Sequence, residues 1–331
     1  MTSELAIVTG AAGWLGRRMV ETLRPRPVRS FVLPGETSTG DVVTGDVRNP
    51  GNCETLFAGA RGATLFHCAG VVHPRRVRDF FDVNVTGTEN VLSAAARAGV
   101  RRAVIVSSNS PIGVNPSPDH VFDESSPYAP YMGYGRSKMQ MELAVRGFQE
   151  RTEIETVIIR PPWFYGPYQP PRQTLFFEMI RDGKGPIVGG GQNRRSMAYI
   201  DNLCQGLLLA ESTAAAAGET YWIADERPYT MNEILDTVER LLEDEFSIPC
   251  KHRRLRLPGL ASQVAWLGDF SLQKLGLYHQ KLHVLSEMNK SIACSIDKAK
   301  RELGYRPEVA LEEGMRRSIA WCIAEGLLGP R

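Results

Sequence analysis

The chain has 331 residues, of which 43% are hydrophobic and 23% charged, with 31 glycines and 21 prolines. That make-up fits one large or two fused globular domains and excludes a disordered, collagenous or disulfide-scaffold protein. Against 39 basic residues stand 37 acidic ones, a net charge of +2, so composition supplies no field for gripping nucleic acid or an anionic membrane, and neither is expected as a partner.

Short, nearly continuous apolar runs open the chain: Leu5–Val8, Val28–Leu33, Val42–Thr44, Ala63–His67, Ala103–Ser107 and Thr156–Ile159. Unbroken rather than alternating hydrophobicity predicts strands buried on both faces of a parallel sheet. Helical stretches lie between them, among them Thr86–Ala98 and Tyr134–Glu150. The expected fold is therefore α/β, a Rossmann-type doubly wound parallel sheet. Beyond residue 160 the texture changes to a proline-rich aromatic loop, Arg160–Pro171, then helical pieces near 199–211, 230–244, 258–275 and 311–325, with extended runs at Tyr221–Ala224 and near Leu255. This divides the chain into a dinucleotide-binding domain, 1–160, and a smaller, mostly helical substrate-binding lobe, 161–331, some of whose segments return to the sheet. The apolar stretch Leu257–Leu277 reads as core of that lobe, with a cover for a greasy substrate as the alternative.

The first strand runs into Gly10-Ala11-Ala12-Gly13-Trp14-Leu15-Gly16 and then a helix. Gly10 permits the tight turn, Gly13 the approach of a pyrophosphate to backbone amides, and Gly16 close packing of helix on strand. Trp14 and Leu15 complete this dinucleotide site. Asp46-Val47 follows the third strand, suited to an adenine amino group, although Asp46 is also a candidate helix cap. Cys68-Ala69-Gly70 follows the fourth. Neither an acid nor a base stands where the second strand ends at Leu33, and Glu36 comes late, so the cofactor is NAD or NADP.

Tyr134 and Lys138 lie four residues apart, on one face of a helix. An ammonium beside a phenol is expected to lower its pKa and make it a proton donor or acceptor for hydroxyl–ketone interconversion. Ser108 ends the fifth strand, at the sheet edge where doubly wound folds bind ligands, and its hydroxyl suits the reacting oxygen. His279 and His283 have metal-binding spacing, but no third ligand accompanies them and no metal is expected.

These motifs, with Asn84-Val85-x-Gly87-Thr88 and Arg160-Pro161, occur in the order of the extended short-chain dehydrogenase/reductases. The chain resembles the epimerase/dehydratase branch of that family along nearly its full length. The resemblance implies that Ser108, Tyr134 and Lys138 are catalytic and that Pro161 borders the nicotinamide. It also implies a homodimer formed through the helices around 86–98 and 134–150. Asn109 and Ser110 stand where the 4,6-dehydratases of the family carry an Asp-Glu pair, so net oxidoreduction or epimerisation is expected rather than dehydration. Non-catalytic, cofactor-sensing relatives typically lack the Tyr or the Lys, and this chain has both.

Two substrate classes remain. Arg195, in Asn193–Asn202, falls where nucleotide-sugar enzymes hold a diphosphate, Arg172 is placed to join it, and Trp163 offers a stacking surface. The block Asp297–Pro307 instead resembles 3β-hydroxysteroid dehydrogenases and an apolar substrate. The expectation is a nucleotide-linked or anionic sugar, with Asn109, Ser110, Trp163, Arg172 and Arg195 facing it. The six cysteines are scattered without a C-x-x-C, and the apolar run before Gly10 is too short for a signal peptide. Both point to a cytoplasmic enzyme.

Overall fold

The computed structural model describes residues 5–329. Seven parallel strands form the central sheet: β1 (Ala6–Thr9), β2 (Val28–Val32), β3 (Asp41–Thr44), β4 (Thr64–His67), β5 (Arg102–Val106), β6 (Glu155–Arg160) and β7 (Thr220–Trp222). Their order is β7-β6-β5-β4-β1-β2-β3. Ala6 aligns with Val28 on one side and Thr64 on the other, so the strand order reverses at β1, and the crevice beyond its carboxyl end is where such sheets bind ligands. The seventh strand comes from beyond residue 160 and pairs with β6.

Alternation along each strand feeds two cores. Ile7, Leu65 and Ile105 point to one face, against helices α2 (Thr88–Ala98) and α3 (Met132–Gln149). Val8, Phe66 and Val104 point to the other, where α1 (Trp14–Thr22) and α5 (Ile200–Ser212) pack. Arg18 of α1 and Asp201 of α5 join across this layer at 2.6 Å. Burial on both faces is why the strands carry no polar alternation. The edge strand β3 is the exception, with Val42 exposed.

The proline-rich stretch is more ordered than its composition suggests. Trp163–Tyr165 pairs in parallel with Met197–Tyr199, and helix α4 (Pro171–Arg181) starts on its prolines. A strand needs a partner, and this one lies some thirty positions away, beyond the reach of local pattern. Further on come α6 (Met231–Asp244), α7 (Gly259–Lys274) and α8 (Gln280–Glu287), the last where the spacing of His279 and His283 suits a helix. The stretch Leu257–Leu277 forms neither lobe core nor an inward apolar cover: α7 buries Ser262, Ala265, Asp269 and Gln273 and turns its large apolar side chains outward.

Candidate active site

Gly10 has φ +66°, and a Cβ there would lie 2.9 Å from the backbone of Ala69, so the turn after β1 and the turn after β4 close on each other only with glycine. At Gly16 a Cβ would meet the Gly10 carbonyl at 2.0 Å, which seats α1 directly on the turn. Gly13 is the N-cap of α1, with no side chain capping the helix and no acid in its first turn. The first-turn amides and the positive end of the helix dipole are therefore left for an anion, and this cradle fits the pyrophosphate of a dinucleotide. Leu15 is in the core. The Trp14 indole turns away to donate to the Pro167 carbonyl at 2.6 Å, so only its backbone amide faces the cradle.

Three further turns rim the crevice. At the tip of β2, Leu33 N–H donates to the Glu36 carboxylate at 3.0 Å while Glu36 N–H donates to Leu33 O, so Pro34-Gly35 folds the acid back onto the strand end. Past β3, Arg48 grips the Asp46 carboxylate and holds it below the usual range. The helix at Pro50–Leu56 is capped by Asn49, not by Asp46. Val47 packs against Gly87. Past β4, burial pushes the Cys68 thiol up, Ala69 N–H reaches Thr9 Oγ1, and a Cβ on Gly70 would come within 3.4 Å of Lys138 Nζ. Pro161 is buried directly after β6.

Ser108, Tyr134 and Lys138 converge at the ends of β5 and the start of α3. The Tyr134 phenol is within electrostatic reach of the Ser108 hydroxyl and lies 5.7 Å, ring to ring, from Phe80. Ser110 Oγ is 3.3 Å from Ser108 Oγ, and Asn109 is beside it. Lys138 Nζ donates to the Val106 carbonyl at 3.0 Å. Burial pushes Lys138 down to about 8, opposed by the Glu142 carboxylate one turn along α3. Tyr134 is pushed up to about 12, again by burial, with the Ser108 hydroxyl opposing. The expected lowering of the phenol by Lys138 is thus absent: desolvation dominates, and the ammonium is turned to a backbone carbonyl.

At the mouth, α7 and α8 roof the start of the catalytic helix. Gly133 N–H donates to Gln273 Oε1 at 2.9 Å, Gln273 donates to Asp269, and Asp269 holds His283 at 2.8 Å. Tyr131 bonds Ser286, and Tyr278 bonds His73 while packing edge-on against Phe80. His279 caps α8, a separate role from that of His283. Arg172, at the start of α4, interacts electrostatically with Tyr278 and Tyr134 and makes no hydrogen bond or ion pair to the described residues. Arg195 donates to the Glu287 carbonyl at 2.5 Å and keeps a buried, unpartnered Nε close to Tyr131. Trp163 packs edge-on against Phe176 of α4.

Residues 6–224 match the NAD dependent epimerase/dehydratase family. The chain belongs to that family. It is an NAD-dependent oxidoreductase or epimerase of the extended short-chain dehydrogenase/reductase type. It is 49% identical to the uncharacterized protein y4nL of Sinorhizobium fredii, over 98% of this chain and 97% of that one. A 3 beta-hydroxysteroid dehydrogenase/Delta 5-->4-isomerase of Mycobacterium tuberculosis is 31% identical, over 98% and 92%. N-acetyl-alpha-D-glucosaminyl-diphospho-ditrans,octacis-undecaprenol 4-epimerase of Escherichia coli O157:H7 is 27% identical, over 95% and 94%. In fold the chain resembles the NAD complex of UDP-glucuronic acid 4-epimerase from Bacillus cereus, with a TM-score of 0.76 at 20% identity, covering 98% and 100%.

Three residues of this family member have roles that the sequence alone does not assign. Asn84, in a π-helical turn (Asp82–Gly87), donates to Val71 O and Ser137 Oγ and accepts from Val71 N–H, pinning the Gly70 turn to the catalytic helix. Glu142, wholly buried, accepts from Ser107 Oγ at 2.5 Å, Tyr128 OH at 2.8 Å and the Arg160 guanidinium at 2.6 Å. A carboxylate two turns after Tyr134 on a mostly apolar helix face was the available signal. Glu36 had one too: Pro-Gly before it makes the turn that brings it back.

Proposed function

We propose that this enzyme interconverts a secondary hydroxyl and a ketone on a diphosphate-linked or otherwise anionic sugar, as an epimerase or dehydrogenase. Tyr134 moves the hydroxyl proton, Ser108 orients the same oxygen, and Lys138 holds the cofactor ribose beside Gly70. NAD, when bound in the cradle at Gly10–Gly16, supplies the hydride acceptor. Because its phenol sits near 12, Tyr134 enters as the neutral acid or as a phenolate formed only against added positive charge. No carboxylate follows Ser108, which supports oxidoreduction or epimerisation over dehydration.

The observation carrying the substrate assignment is Arg172: an exposed guanidinium at the start of α4, without an ion pair to the described residues and within electrostatic reach of the catalytic tyrosine. A guanidinium with no counter-ion, open to the surroundings beside the reacting tyrosine, suits an anionic substrate group through charge-assisted hydrogen bonds. The diphosphate-linked sugar in the name of the Escherichia coli relative supports the same class. The apolar-alcohol reading, supported by the identity to the steroid enzyme, loses its lining, since the inner face of α7 is polar. Glu36 at the tip of β2 favours NAD over NADP, because a 2′-phosphate there meets a carboxylate. Six free cysteines support a reducing, cytoplasmic compartment, and half-exposed Leu143 on α3 supports a homodimer through α2 and α3.

The test is steady-state kinetics on a panel of nucleotide-diphosphate sugars and neutral secondary alcohols with added NAD. Arg172→Ala is expected to raise KM for the turned-over sugar about tenfold or more with kcat little changed, and Tyr134→Phe to lower kcat by about 10²–10⁴-fold. An Arg172→Ala enzyme with unchanged KM, or turnover confined to neutral alcohols, refutes the assignment.

A further inference from the structure

Among the described residues, 16 large apolar side chains are more than a third exposed, and nine of them fall between Leu255 and Val284. Helix α7 carries five of the nine and is inverted. A surface helix of a water-soluble protein buries its apolar stripe. Here the buried stripe is Ser262, Ala265, Asp269 and Gln273, fastened inward by Ser262 Oγ to the Ser286 carbonyl at 2.7 Å and by Asp269 to His283. The outward stripe is Leu260, Val264 and Leu267, 64%, 62% and 58% exposed, flanked by the stacked pair Trp266–Phe270. The polar seam fixes which way the helix faces, so the apolar side is presented to whatever lies outside.

The charge of the surroundings says what that is. From 251 to 286 the one carboxylate is Asp269, and it is fully buried. Lys251, Arg253, Arg256, Lys274 and Lys281 are exposed. At the end of the patch Arg76 bridges Leu277 through the backbone and Tyr278 N–H donates to Arg75 O, which brings two more exposed arginines beside Leu275 and Leu277. A two-fold contact between copies of this chain sets the same patch against itself, cations facing cations with no acid to answer them. An anionic lipid surface answers both features at once, taking the apolar stripe into the headgroup–acyl boundary and the basic rim onto lipid phosphate.

We propose that the outward face of α7, with its basic rim, docks this enzyme onto an anionic membrane surface. No described helix is long and apolar enough to cross a bilayer, so the attachment is to one face. The net charge of +2 argued against a membrane partner only because it averages over the chain; the cations are concentrated here. Docking does not depend on which substrate is turned over. If the anionic-substrate reading above holds, the cleft mouth at Arg172 and Tyr278, roofed by the same two helices, opens beside the bilayer and admits lipid-linked anions.

The experiment is flotation of the full-length protein with vesicles of phosphatidylglycerol and phosphatidylcholine, and with phosphatidylcholine alone. The protein is expected to float with the anionic vesicles, to be released by salt, and to bind neutral vesicles at least tenfold more weakly. The double variant Val264→Glu/Leu267→Glu changes exposed positions and is expected to keep its melting temperature and lose vesicle binding at least tenfold. Arg75→Glu/Arg76→Glu is expected to weaken binding and flatten its salt dependence. Absence of flotation with anionic vesicles overturns the proposal, as does undiminished flotation of the Val264→Glu/Leu267→Glu protein. So does a dimer, seen by sedimentation, that this variant splits while the wild type ignores vesicles. None of these readouts uses catalysis, so a wrong substrate assignment leaves them unchanged.

Discussion

Glu142 offers the sharpest test of how the catalytic helix is held. Its carboxylate is fully buried on α3, one turn after Lys138, and receives the Arg160 guanidinium twice together with the Ser107 and Tyr128 hydroxyls. Arg160 is 2% exposed, and its Nη1 has no partner even with Glu142 in place. Glu142→Ala leaves that cation buried and uncompensated, which costs about 3–5 kcal/mol. Two hydroxyls also lose their acceptor at about 1 kcal/mol or more each, partly relieved by rotation, for a total of about 5 kcal/mol. Against a total stability of about 5–15 kcal/mol this brings the enzyme close to unfolding. At about 2 °C per kcal/mol for a chain of this size, the melting temperature falls by roughly 10 °C. The assay is urea unfolding of four proteins: wild type, Glu142→Met, Arg160→Met and the double Met variant. The double variant should recover most of the loss, because apolar groups of similar length replace both charges. A single Glu142 variant within about 1 kcal/mol of wild type, or a double variant as unstable as the sum of the singles, refutes the account.

Other outcomes follow from the same geometry. Lys138 has its folded pKa pushed down to about 8 from 10.5, so below pH 8 the buried ammonium costs about 3 kcal/mol, and between pH 8 and 10.5 native stability rises as the folded state releases its proton first. Lys138→Met should therefore stabilise the protein by about 3 kcal/mol at pH 7, with the gain vanishing towards pH 10.5; a pH-independent gain counts against the burial argument. Glu36→Arg should shift the ratio of kcat/KM for NAD over NADP by about tenfold or more towards NADP, and an unchanged ratio places the ribose elsewhere. Gly16→Ala puts a methyl 2.0 Å from the Gly10 carbonyl and should cost about 3 kcal/mol with loss of NAD affinity, checked by melting and by calorimetric titration.

The parallel sheet was legible because burial on both faces forces continuous apolar runs, and the five runs in β1, β2, β4, β5 and β6 carry the pattern plainly, while the edge strand β3 is exposed. The seventh strand was half legible: Tyr221–Ala224 read as extended, but nothing local told it to leave the lobe and pair with β6. Trp163–Tyr165 was hidden among prolines because its partner is distant in sequence. The glycine turn was legible for a reason specific to backbone, since Gly10 and Gly16 stand where any side chain collides with a neighbouring chain atom. The roles of Asn84 and Glu142 were invisible because their work is done across elements, between α3 and turns 50 or more residues earlier in the first case.

The two places where pattern misled are instructive in the same way. An i, i+4 tyrosine and lysine were expected to form a phenol poised by an ammonium, yet both groups are buried and desolvation moves each away from its charged form. Spacing reports that two groups can meet; it does not report how much water is left to them. Likewise the apolar content of Leu257–Leu277 was correctly seen and wrongly placed inside. Hydrophobic periodicity gives the presence of a stripe and its width, while the side that faces the protein is set by what the opposite stripe can bond. Here Ser262 and Asp269 find Ser286 and His283 of α8, Gln273 finds Gly133 of the catalytic helix, and that polar seam outcompetes apolar burial within the chain. A protein that spends its polar residues on the inside of a helix has left the apolar side for an environment other than water, which is the physical content of the docking proposal.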